Sequence, residues 1–299
     1  MVMNEKVLVV KKLSKTYGTK QVVNQVDLSI EKGSFTAILG PNGAGKSTTI
    51  AMLSTLTQAT SGDIYYDGLA IQEHLRQVRP KIGIVFQNSV LDEALSVKQN
   101  LSIQAGLYKN ISQDRIDEVI TLTSLTGILK QPVSQLSGGQ KRRVDIAVSV
   151  LHQPEILFLD EPTTGLDIQT RLAIWEVLQN MKVKEAMTIV LTTHYLEETN
   201  VADNVYIINS GEIIANGSAK ELIQRYTQEI LTIESGELSS ICNILGLKDE
   251  QLPLSLPCPN AQTAIKLLCD IQPFVEKFSY QQGTMNDVFV ALTGKEMIS

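Results

Sequence analysis

Cysteine is scarce. The 299-residue chain carries three, Cys242, Cys258 and Cys269, an odd number with no CxxC pair. That excludes a disulfide framework and a zinc site of the usual spacing, and leaves reduced, buried thiols as the expectation. Histidine is as rare: His74, His152 and His194 are scattered, so no metal cluster is expected. Basic charge is short too. The net charge of −6 excludes a global electrostatic footprint for nucleic acid. The one dense basic run, Lys141-Arg142-Arg143, lies in an amphipathic helix pattern and is expected to be a solvated face. No apolar run approaches the roughly 18–20 residues that span a bilayer, and the opening Met1–Val7 has no signal-peptide pattern. Internal repeats and low-complexity segments are missing as well.

What is there is ordinary globular composition, 43% hydrophobic and 19% charged, enough for a large core and a second domain. Residues 5–36 read as strands, with Val26, Leu28 and Ile30 alternating against Asp27, Ser29 and Glu31. Phe35–Leu39 is an apolar strand feeding a glycine-rich loop, and a helix is expected to begin near Lys46. Ile64 and Tyr66 suggest a short strand, and Ile82–Phe86 a buried one. Residues 92–130 read as helical, with a Ser112 cap, within an insertion of about 92–150. A helix follows Gly139, then strand 156–160, a helix carrying Leu172, Trp175 and Leu178, and strand Thr188–Thr192. Ser210-Gly211 marks a hairpin, and Ser218–Glu221 has capping-box spacing. Alternating strands and helices predict an α/β core with a mainly parallel sheet. Beyond about residue 228 the character changes, and a small appendage over 229–299 is expected.

Six motifs carry the chemistry. Gly40-Pro41-Asn42-Gly43-Ala44-Gly45-Lys46-Ser47-Thr48 fits GxxxxGK(S/T), a pattern expected by chance about once in 100 such chains. Its glycines let backbone N–H groups converge on phosphate oxygens at a helix N-terminus. Lys46 is expected to reach the β/γ-phosphates of ATP, and Ser47 to ligate Mg²⁺. Asp160 ends the apolar strand 156–160, where a second Mg²⁺ partner is needed. Glu161, next to it, suits a water-activating base. Alone, an Asp-Glu pair after a strand is most often a cap or turn; beside such a loop the odds reverse. Gln87 and His194 follow two further strands and fall in the same crevice. Gln87 can orient water or touch Mg²⁺, and His194 can donate to the γ-phosphate. Either alone is bland.

Leu136-Ser137-Gly138-Gly139-Gln140 precedes a helix and makes a second anion-binding N-terminus. One nucleotide seldom needs two. The economical expectation is that Ser137, Gly138, Gly139 and Gln140 serve the nucleotide held by a second copy. Tyr17 precedes Gly18 after a strand, where its ring could stack on adenine or simply pack.

In this order the set resembles the nucleotide-binding subunit of an ABC transporter, over residues from about 5 to 225. Tyr17 matches the aromatic loop, Gly40–Thr48 Walker A, Gln87 the Q-loop, Leu136–Gln140 the signature and Ile156–Glu161 Walker B. Gly165-Leu166-Asp167 matches the D-loop, adding Asp167 to the nucleotide-binding set, and His194 the switch. Gly138–Arg143, Thr192–Glu198 and the tail Met285–Gly294 look like the drug-resistance exporter branch, of daunorubicin-resistance type. One departure is Gln99-Asn100-Leu101, where relatives usually carry Glu-Asn-Leu.

The resemblance implies a P-loop NTPase of the ABC ATPase type over residues 1–228, with an antiparallel β subdomain, a helical insertion and an α+β appendage. It implies an ATPase on the cytoplasmic face of the cell membrane, working as a homodimer with a separate transmembrane permease and no nucleic acid. The catalytic set is Glu161, His194, Gln87 and Lys46; the Mg²⁺ set is Ser47, Gln87 and Asp160. The permease is expected to dock on residues from Gln87 to about Lys109, with Val90, Leu91, Leu95 and Val97 as groove residues or core. Two rivals remain. One is an importer or a lipid or polysaccharide exporter. The other is an ATPase acting on DNA or ribosomes, which needs tandem modules, a coiled coil or a basic surface that the chain lacks.

Overall fold

The computed structural model describes residues 5–248 and 251–294. Residues 1–4, part of the opening scanned for a signal pattern, lie outside the described residues, as do 249–250 and 295–299 of the C-terminal part. The chain falls into two compact units, one ending at Asn216 and one starting at Gly217. No helix of the described residues is long and apolar enough to cross a membrane.

The first unit runs β1 (Lys6–Tyr17), β2 (Lys20–Glu31), β3 (Phe35–Leu39), α1 (Lys46–Leu53), β4 (Ser61–Tyr66), β5 (Leu69–Ala70), α2 (Leu75–Val78) and β6 (Ile82–Val85). It continues through α3 (Val97–Gly106), α4 (Gln113–Leu122), α5 (Gly138–Val150), β7 (Ile156–Asp160), α6 (Ile168–Glu185), β8 (Thr188–Thr193), β9 (Asn204–Asn209) and β10 (Glu212–Gly217). Two sheets result. β2-β1-β4-β5 is antiparallel where its pairs are registered. The larger sheet is ordered β10-β9-β3-β8-β7-β6, and its five strands from β9 to β6 are parallel. β3 and β8 are buried at every residue, as strands covered on both faces must be. Parallel pairing brings the carboxyl ends of β3, β6, β7 and β8 to one edge, and these ends precede Gly40, Gln87, Glu161 and His194.

The insertion is helical in pieces. Ser96 opens α3 with a capping box in which Gln99 takes the reciprocal role, so the departure from Glu at 99 keeps the cap. Ser112 accepts from Arg115 N–H and opens α4, as expected. Val97 is fully buried, so it belongs to the core and not to a groove; Val90 is 69% exposed. Of the three α6 residues picked out by sequence, Leu172 is exposed, whereas Trp175 and Leu178 are buried. The basic run divides as well: Arg142 is buried, against the expectation of a solvated face.

The second unit contains α7 (Ala219–Tyr226), β11 (Glu229–Gly236), α8 (Leu238–Leu245), β12 (Leu254–Cys258), α9 (Ala261–Ile271), β13 (Val275–Gln281) and α10 (Met285–Thr293). Its sheet is antiparallel, ordered β12-β11-β13, and Leu231, Ile233, Ile241, Leu254 and Ile271 form its own core. Ser218 and Glu221 make the expected capping box on α7. All three cysteines are free, but only Cys258 is buried; Cys269 is exposed, which corrects the expectation of buried thiols.

The insertion is pinned to the first unit by Arg115, which is 7% exposed. Its guanidinium donates to Glu118 and Glu185 and to the Val150 carbonyl, joining α4 to the ends of α5 and α6. Removing one partner of a buried pair strands the other charge. Arg115→Ala is therefore expected to lower stability by roughly 3–5 kcal/mol, read from urea unfolding. Replacing both Arg115 and Glu185 by methionine should recover most of the loss.

Candidate nucleotide site

The glycine-rich loop leaves β3 and closes on α1. Gly45 stands at the N-cap of α1 with φ +101, a region that side-chain-bearing residues rarely adopt, and a Cβ there would lie 2.7 Å from the Val22 carbonyl. A Cβ on Gly40 would lie 2.3 Å from the Ile208 carbonyl. The loop thus fits only because these two positions lack side chains. Inside it, Lys46 is buried, and its Nζ donates to the Gly40 and Pro41 carbonyls at 2.8 and 3.1 Å. The same Nζ pairs with Glu161 Oε1 at 3.1 Å.

The next strand end is tied to the loop by hydroxyls. Ser47 Oγ donates to Asp160 Oδ1 at 3.0 Å, and Thr192 Oγ1 donates to the same oxygen at 2.6 Å. Asp160 and Thr192 are direct partners in the β7–β8 register. Glu161 follows with φ +46, a left-handed conformation that costs a non-glycine residue about 1–3 kcal/mol and so must be held by its surroundings. The holders are visible. Its N–H donates to Thr192 Oγ1 at 3.0 Å, and its Oε2 accepts from Thr164 Oγ1 at 3.1 Å. His194 Nδ1 lies 3.3 Å from the same Oε2. Burial pushes the Glu161 carboxyl up, but Lys46, with His194 and Thr164, outweighs it and leaves the group below the usual glutamate range. Glu161 is therefore ionised at neutral pH, the form that can accept a proton.

Asn42, Gly43 and Gly45–Thr48 line one cleft of about 730 Å³ together with Gln87, Glu161 and His194. Asp160 joins through Ser47. Thr164, and Lys20–Val22 of β2, complete part of the wall. Tyr17 is not among the lining residues; it stands half exposed at the tip of the β1–β2 hairpin, with the Lys15 ammonium 4.9 Å from its ring centre. Gly40, Pro41 and Ala44 are not lining residues either; the Gly40 and Pro41 carbonyls hold Lys46.

The second predicted anion site is elsewhere. Ser137 caps α5 in a capping box with Gln140: its Oγ accepts from Gln140 N–H, and Gln140 Oε1 accepts from Ser137 N–H. Ser137 and Gly138 are exposed, and none of Ser137–Gln140 lines the cleft. Asp167 is also outside it. It caps α6, and bonds from Thr170 hold its carboxyl below the usual aspartate range. The two caps meet at Gly139, where a Cβ would lie 2.0 Å from Thr170 Cγ2.

Sequence reasoning missed the threonines. Thr192 and Thr164 hold Glu161, and Thr163 donates to the buried Glu198 four residues after His194. Thr192 looks like any β-branched strand residue until the sheet order sets it opposite Asp160.

The family model for ABC transporters matches residues 23–164. The chain is 34% identical to the daunorubicin resistance ATP-binding protein DrrA3 of Streptomyces coeruleorubidus, covering 94% of each chain. It is 33% identical to a Nod factor export ATP-binding protein I of Ralstonia nicotianae, over 97% of this chain and 95% of that one. Among solved structures, cbiO1 from Clostridium perfringens, part of the ABC transporter complex cbiONQ, superposes with a TM-score of 0.66 at 31% identity. That match covers 74% of this chain and 94% of cbiO1. The cassette MJ0796, dimeric and bound to ADP and Pi, gives 0.64 at 28% identity, over 71% of this chain and 98% of its own. The chain belongs to the ABC transporter family, as one of its ATP-binding and ATP-hydrolysing subunits.

Proposed function

We propose that this ATPase drives export through a separate membrane permease, as a homodimer whose two copies share two ATP sites. The observation that carries the reading is the split between the predicted residues. The phosphate loop, Gln87, Glu161 and His194 share one cleft, whereas Ser137–Gln140 and Asp167 do not line it. A second copy set head to tail would bring the N-terminus of its own α5 to the phosphates, adding N–H groups and the positive end of a helix dipole. The dimeric form of MJ0796 with ADP and Pi supports such an arrangement.

The roles follow from chemistry. Lys46 exchanges its Glu161 and carbonyl partners for the β/γ-phosphates. Glu161 takes the proton of the attacking water. His194, beside Glu161, donates to the γ-phosphate, and Gln87 orients the water or meets Mg²⁺. Tyr17 stacks on adenine, and Asp167 steadies the surface facing the second copy. Ser47 Oγ and Asp160 Oδ1, 3.0 Å apart, are hard oxygen donors of the kind that would hold Mg²⁺. When bound, Mg²⁺ neutralises charge developing on the phosphates. The permease docks on residues 87–109, where Val90, Ile103 and Leu107 are exposed apolar side chains. That docking holds the subunit at the cytoplasmic face of the membrane. The names of the relatives, daunorubicin resistance and Nod factor export among them, favour export, and the first of them favours antibiotic-type cargo.

Two experiments test this. Glu161→Gln keeps the shape and removes the base. Steady-state phosphate release should fall by about 10²–10⁴-fold with nucleotide binding retained, and turnover at the parent rate would remove Glu161 from the role. The shared site is tested by mixing a Lys46→Ala protein with a Ser137→Arg protein. In a mixed dimer both defects fall on one site and the other stays whole, so part of the ATPase activity should return. A mixture as inactive as its parents, in which mixed dimers are demonstrated, overturns the arrangement.

A further inference from the structure

β6 is the outer strand of the parallel sheet, and the chain leaves it at Val85. Backbone groups beyond a sheet edge need other partners when they are covered. One turn of α5 supplies them. The Arg142 guanidinium forks onto two successive carbonyls, Nη1 to Phe86 at 2.5 Å and Nη2 to Gln87 at 2.7 Å. Asp145, three residues on and hence on the same face, accepts from Ser89 Oγ at 2.8 Å and from the Val90 N–H. Arg142 and Asp145 are 9% and 8% exposed, and their own charged atoms are 3.8 Å apart.

Stability alone does not account for this pair. Burial pushes the Arg142 guanidinium down, opposed by Asp145 and Asp160, and pushes the Asp145 carboxyl up, opposed by Ser89 and Arg142. Desolvating two charges at that separation costs about as much as their attraction returns, so such a pair is a poor stabiliser. It does fix position. α5 is already pressed on β6 at Gly83, where a Cβ would lie 2.6 Å from the Ser149 carbonyl. The N-terminus of the same helix carries Ser137. The Gln87 side chain lines the cleft and makes no hydrogen bond among the described residues, so its backbone carbonyl is its anchor.

We infer that Arg142 and Asp145 are positioning residues for ATP hydrolysis. They clamp the Gln87 segment to α5, so that Gln87 in its own cleft and the Ser137 end facing a second copy move as one body. The inference rests on the proposed role of Gln87 at the nucleotide.

A double-mutant cycle on the full chain tests it, reading kcat and KM for ATP together with thermal stability. Arg142→Lys keeps the charge and loses the fork. A small displacement of a catalytic-site group is costly, so kcat should fall about tenfold with KM nearly unchanged, while the lost carbonyl bond lowers the melting temperature without unfolding the chain at the assay temperature. Ser89→Ala, which removes one outer bond, should cost a few-fold, also in kcat. In a Gln87→Ala background both substitutions should cost less than about twofold, because no side chain is left to position. Equal fold-losses in the two backgrounds overturn the clamp while leaving Gln87 in its role. Gln87→Ala turning over at the parent rate overturns that role and the clamp with it. If Arg142→Lys does not fold, Ser89→Ala decides by the same comparison.

Discussion

β3, β7 and β8 are buried along nearly their whole lengths, and they pair in parallel with Leu39, Asp160 and Thr193 at neighbouring carboxyl ends. Everything at the site depends on that pairing. A parallel strand cannot return through a short turn, so each strand end must open into a loop or helix start. Those openings are Gly40–Gly45, Glu161 and His194. The apolar strands supply the registration, and the polar chemistry begins within one or two residues of where they stop. A register slip in β7 would move Asp160 out of reach of Ser47 and Thr192 together.

Hydroxyl groups convert that registration into local order. Thr192 donates to Asp160 and accepts from the Glu161 N–H, so one side chain on β8 sets the carboxylate that ends β7 and the backbone of the residue after it. Lys46 and His194 approach Glu161 from opposite neighbours, Oε1 and Oε2. The left-handed backbone at Glu161 persists because its N–H and both of its carboxylate oxygens are engaged. This is strain stored at the residue proposed to meet the attacking water.

Much of this was legible in the sequence, and the reasons are specific. The strands Phe35–Leu39 and Ile156–Asp160 were found to the residue and the start of α1 near Lys46, because continuous apolar runs next to glycine or paired carboxylates admit few alternatives. The cleft residues Lys46, Ser47, Gln87, Glu161 and His194 were named from motif spacing, and the fold gathers them. Helix faces were less legible. Val97 was open between groove and core, and Arg142 took the opposite exposure from the one its pattern suggested, since periodicity gives a face but not its neighbour. Arg142 is the sharper case: its burial is set by two carbonyls 55 and 56 residues earlier, which no local window contains. The role of Thr192 needed the strand order. In the second unit the order of β12, β11 and β13 depends on pairings that composition does not encode.

The contact between Gly139 and Thr170 bears on how such a chain can drift. A Cβ at 139 would meet the Thr170 methyl at 2.0 Å but its Cβ only at 3.3 Å. Thr170 is not free to turn away, because its hydroxyl is bonded to Asp167. The order of substitution is therefore constrained. Thr170→Ser keeps that hydroxyl and makes room; Gly139→Ala is admissible only after it. The reverse path crosses an intermediate in which the start of α6, and Asp167 with it, is displaced. Two positions 31 residues apart thus share one evolutionary degree of freedom, with a preferred direction of travel.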